Sequence, residues 1–109
     1  MKKWEVCISS PAETDLDGIY SYIATSLLEP ETASHQVERI RKAILSLDEM
    51  PERGALLPDE PWHTRGLRHL LVDQYAIIYE TQESSDSVTV IAVLHTKRNS
   101  GDVMAQGGR

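Results

Sequence analysis

Hydrophobic positions along the chain change period twice, from an initial alternation to a helical spacing and back. Residues 4–9 (WEVCIS) place the β-formers Val6 and Ile8 two apart and predict a short strand. Ser10-Pro11-Ala12-Glu13 then reads as a helix start, with Ser10 as cap and Pro11 in the first turn. Ala12, Leu16, Ile19, Ile23 and Leu27 recur at steps of three and four, which is one face of a helix. Pro30 breaks that run and opens a second helix to about Glu49, with a stripe of Ala33, Val37, Ile40, Ile44 and Leu47 widened by Leu45 and Met50. Neither helix can bury its stripe alone, so both require a sheet beneath them.

Residues 51–66 carry three Pro and two Gly, a composition that predicts an irregular loop with Trp62 as its anchor. Beyond it the period returns to two. Leu67 to Val72 and Tyr75 to Thr81 form a hairpin around Asp73-Gln74. Val88 to His95 is the most continuous apolar strand and belongs inside the sheet. The order is β-α-α-β-β-β: an α+β domain with a helical hairpin over one face of a mainly antiparallel four-stranded sheet. Residues 1–99 form the domain, and the polar, Gly-rich residues 100–109 a flexible tail.

Charge sharpens this picture. The chain has 109 residues and a net charge of −6, one domain's length. Residues 1–60 hold 6 Lys/Arg against 12 Asp/Glu, while residues 61–109 hold 5 of each. The acidic field opposes non-specific nucleic-acid binding. A cationic group remains in the neutral part, where His63, His69 and His95 accompany Arg65, Arg68, Lys97 and Arg98. No apolar run approaches the ~20 residues of a membrane span, so no membrane partner is expected. The lone Cys7 reads as a reduced cytosolic thiol in the core, which places the protein in the cytoplasm. The His spacing suits no metal site, and neither metal nor cofactor is expected.

Four segments carry a resemblance by their order and spacing: PAETDLDGIYSYI (11–23), LDEMPERG (47–54), GLRHLLVDQYAIIYE (66–80) and VIAVLHTKRN (90–99). Together they resemble the RelE/ParE superfamily of toxins from type II toxin–antitoxin modules, among which plasmid-stabilisation proteins are counted. The resemblance implies a small toxin neutralised by a cognate antitoxin in a heteromeric complex. RelE-like members cut mRNA on the ribosome, whereas ParE-like members inhibit DNA gyrase by protein–protein contact.

RNA cleavage requires an activated 2′-oxygen, a proton for the leaving oxygen and cations on the phosphate. Where RelE-like nucleases carry an Arg after the first Tyr of Y-x-x-x-Y, this chain has Ala76, and Met104 stands where they have a late Tyr. The AVLH segment and the first helix look closer to ParE. The expectation is therefore a ParE-like gyrase inhibitor whose target-binding residues are Arg65, Arg68, His95, Lys97 and Arg98. The alternatives are a metal-independent, ribosome-dependent endoribonuclease using His95 and Arg98 as catalytic residues, and an inactive toxin fold that only binds an antitoxin. Each residue also has a plainer role. Arg68 could pair with Glu80 or Asp73, His95 could close a strand, and Tyr75 and Tyr79 could pack in the core.

Overall fold

The computed structural model describes residues 3–97. Strand β1 (Glu5–Ile8) leads into helix α1 (Ser10–Ser21), a π-helical turn over Tyr22–Ser26 and helix α2 (Pro30–Leu45). A two-residue strand β2 (Ala55–Leu56) and a one-turn helix α3 (Trp62–Arg65) precede β3 (Arg68–Val72), β4 (Tyr75–Gln82) and β5 (Ser87–His95). The sheet has five strands in the order β1-β5-β4-β3-β2. β1 runs parallel to β5 and the other pairs are antiparallel. The α+β class, the helical hairpin and the interior place of β5 are as the periodicity predicts.

The helices cover one face of the sheet. Ala12, Leu16, Ile40, Ile44 and Leu47 pack with Tyr75, Ile77, Tyr79, Val88, Val90 and Val93. The other face is covered by the 57–67 segment, where Leu57, Leu67 and the half-buried Trp62 pack with Ala76, Ile78 and Leu94. Burial on both faces explains why β4 is buried throughout Tyr75–Tyr79 rather than at alternate positions.

Several expectations need correction. The residues 51–66 are not irregular throughout, because β2 and α3 lie within them and a 3₁₀ turn spans Pro51–Arg53; β2 brings the sheet to five strands where the periodicity predicts four. The cap of α1 is Ser9 rather than Ser10, its hydroxyl accepting from the Ala12 N–H at 3.2 Å. Leu27 leaves the helical stripe, since the π-turn bonds its N–H to the Tyr22 carbonyl and rotates it outward. Leu45 and Met50 are likewise exposed. Cys7 lies on the outward side of β1 and is exposed, not in the core. The expected tail lies outside the described residues.

Gly54 joins the connecting segment to the core. The buried Tyr79 hydroxyl donates to the Pro51 carbonyl at 2.6 Å and accepts from the Gly54 N–H at 3.1 Å. A Cβ at Gly54 would overlap that hydroxyl and the His69 carbonyl. Arg68 adds a second tether, donating to the carbonyls of Glu52 (3.1 Å) and Gly54 (2.7 Å).

Candidate functional site

The register of the sheet sorts the cationic residues into two groups. Arg68 sits opposite Tyr79, whereas His95 sits opposite Tyr75. Four residues of β4 separate the two positions, about 13 Å at strand spacing. Arg65 lies toward the Arg68 end but on the other face of the sheet, its guanidinium 3.9 Å from the Glu80 carboxylate. Lys97 belongs with His95 at the far end of β5. Arg98 lies outside the described residues. The sheet thus brings His95 near Lys97, sets Arg65 and Arg68 at the other end on opposite faces, and does not bring the two ends together.

The two ends differ in what their side chains already do. Arg68 holds backbone carbonyls of the connecting segment, neither of the carboxylates considered from the sequence. At the other end, the His95 ring meets Tyr75 edge-on, with centroids 5.2 Å apart at 84°. Its Nδ1 accepts the Lys97 N–H at 3.1 Å, which folds the chain back as the strand ends. Thr96 donates both its N–H (2.8 Å) and its hydroxyl (3.1 Å) to the Gln74 carbonyl. Lys97 itself is exposed. The β5 end therefore presents a cation on a firmly bonded backbone.

Upstream, β5 carries a bulge. Ile78 faces Ala92 and Tyr79 faces Val90, which leaves Ile91 as the extra residue. β1 ends opposite Val90, and side chains take over the exposed edge beyond it. The Ser9 hydroxyl donates to the Ile91 carbonyl at 3.2 Å, and Asp15 Oδ2 accepts the Val93 N–H at 3.0 Å. Burial pushes the Asp15 carboxyl above its ordinary range, while the Val93 bond pulls the other way. Sequence reading missed this role of Asp15. The available signal was an acidic residue beside Leu16 on the inward stripe of α1.

On the helical hairpin, Arg41 bonds Glu13 at 2.9 Å and holds its carboxyl below the usual range. Ala76 is 4% exposed beneath the 57–67 segment, so that position of β4 offers a methyl group to the second core. Among the described residues no group of three or more His, Cys, Asp or Glu is arranged to hold a metal, and no helix is long and apolar enough to cross a membrane.

Residues 6–100 match the sequence profile of one family, the ParE toxin of type II toxin–antitoxin system, parDE. No curated protein matches the chain in sequence. Among solved structures, the chromosomal ParDE toxin–antitoxin system from P. aeruginosa superposes with a TM-score of 0.72 at 21% identity, over 89% of this chain and 100% of that one. The RelBE2 toxin–antitoxin complex from Mycobacterium tuberculosis gives 0.61 at 23%, over 87% and 93%. A mutant of the E. coli toxin RelE in the free state gives 0.63 at 14%, over 95% and 92%. At these identities the structural likenesses establish the fold, and the profile establishes the family.

Proposed function

Because the chain belongs to the ParE toxin family of type II toxin–antitoxin systems, we propose that it arrests growth by binding DNA gyrase and not by cutting RNA. The observation that carries this reading is Ala76. Its methyl group lies in the core at the β4 position where RelE-like nucleases carry an arginine. A nuclease at the β5 end would have to draw acid, base and phosphate-binding cation from His95, Lys97 and Arg98. His95 already spends one ring nitrogen on the Lys97 N–H. A protein contact asks less: an exposed cation and a rigid strand end.

His95, Lys97 and Arg98 then form the principal target contact, and Arg65 and Arg68 lie apart from it at the other end of β4. The partner in the resting state is a cognate antitoxin, as in the ParDE and RelBE2 systems that share the fold. The surface suits it. Residues 10–49 hold 3 Lys/Arg against 8 Asp/Glu, and Tyr20, Tyr22, Leu27, Leu28 and Leu45 stand exposed on the same hairpin. An apolar helix with basic flanks matches such a surface.

The test runs two assays on the purified chain. Gyrase supercoiling should be inhibited while ribosome-bound mRNA stays intact, and Lys97→Ala should weaken inhibition. Cut mRNA with normal supercoiling, abolished by Arg98→Ala, would establish the endoribonuclease instead. Expression with no growth arrest would leave a fold that only binds its antitoxin.

A further inference from the structure

The β5 end is fixed from a distance. Val72 and Tyr75 pair across the turn Asp73-Gln74, and Asp73 adopts a left-handed backbone (φ 56°) that a short polar side chain tolerates better than most. Helix α2 grips the Asp73 carboxylate on both oxygens. Arg39 donates from Nε to Oδ2 and from Nη2 to Oδ1, each at 2.9 Å, and Gln36 Nε2 donates to Oδ2 at 3.0 Å. A two-pronged guanidinium fixes direction as well as distance, which a point charge does not. The next carbonyl, Gln74 O, accepts both bonds from Thr96, and the following residue is Lys97. An unbroken run of hydrogen bonds and peptide units joins α2 to the exposed end of β5. The seat of α2 on the sheet does not need this pair, because Ile40 and Ile44 are already fully buried there.

We propose that Arg39 and Asp73 are positioning residues: they brace the Asp73-Gln74 turn so that Gln74 holds Thr96, and with it Lys97, in the orientation that meets the target. The inference rests on the assignment of the β5 end as the gyrase contact. It adds a control point on α2, remote in sequence from the strand end.

The experiment compares the full chain with Arg39→Ala, Asp73→Asn, the double variant and Arg39→Lys. Asparagine keeps a residue that accepts the left-handed turn while removing the charge. Amide hydrogen exchange reads the brace directly. Thr96 and Lys97 should exchange roughly two- to five-fold faster than in the native chain in each single variant and by the same factor in the double, as an exposed pair acting as one unit requires. Ile77 and Val90 should not change, and Arg39→Lys should fall between. The concentration that half-inhibits gyrase should rise by a similar factor. Unchanged exchange at Thr96 and Lys97 overturns the brace, and so does faster exchange spread equally to Ile77 and Val90, which marks a general stabilising pair. Faster exchange confined to the strand end with unaltered inhibition overturns the positioning role. If the native chain leaves gyrase untouched, the target assignment fails, while the exchange data still decide the brace.

Discussion

Replacing Tyr79 by Phe removes one oxygen atom and leaves two buried backbone groups without partners. The ring stays in place, fully buried in the core between the sheet and the helices. The Pro51 carbonyl loses a 2.6 Å donor and the Gly54 N–H a 3.1 Å acceptor, both at buried residues. A buried polar group stripped of its partner costs about 1–3 kcal/mol, so the pair should cost about 2–6 kcal/mol. For a domain of this size that lowers the melting temperature by roughly 8–24 °C. Urea unfolding should show a lower midpoint at an unchanged slope, because the area buried is the same. Tyr20→Phe, at an exposed residue, should stay within about 0.5 kcal/mol of the native chain. Burial also raises the Tyr79 phenol above its ordinary value of 10.0. Its contribution is therefore complete below that value and is lost as pH climbs through the folded pKa. The phenolate can no longer donate to Pro51, and the native chain should lose stability at alkaline pH more steeply than Tyr79→Phe. A Phe variant that melts within about 2 °C of the native chain (a margin of roughly 0.5 kcal/mol) would refute the bridging role of the hydroxyl.

Gly54→Ala should destabilise by roughly 1–3 kcal/mol through overpacking against Tyr79 and His69; an unaltered urea midpoint would show that the close approach is relaxed in solution. Asp15→Asn retains an oxygen for the Val93 N–H and removes the buried charge. The Asp15 carboxyl is raised, so its share of stability is full below the unfolded pKa and declines as pH rises through the folded one. Urea midpoints across the carboxylate range should show the Asp15→Asn variant gaining on the native chain as pH rises, and parallel pH profiles would count against this. The acidic hairpin should make part of antitoxin binding electrostatic, so the complex should weaken with added salt; affinity constant from low to high ionic strength would contradict it.

The parts of the fold legible in the sequence are those written in local periodicity. Ala33, Ile40, Ile44 and Leu47 repeat at helical steps and all four are buried. Val88–His95 reads as an interior strand and is one. Illegible were features decided by contacts far along the chain. β2 is two residues long and is held beside β3 by Arg68 and Tyr79, which no local pattern announces. Leu27 follows the helical spacing faithfully, but the π-turn before it inserts a residue's worth of rotation. The chemistry of the cationic residues was readable and their grouping was not. The 72–75 hairpin already sets Arg68 opposite Tyr79. The partner of His95, however, depends on the bulge at Ile91. That bulge adds one residue to the count and aligns His95 with Tyr75.

The same bulge bears on how the molecule behaves when it stands alone. Where β1 gives out, β5 would offer a ribbon of open backbone, the usual seed for one copy zipping onto the next. Ser9 and Asp15 occupy that seam from the start of α1. On this margin, two of the backbone groups that a second copy would seek are thus already taken from within the chain.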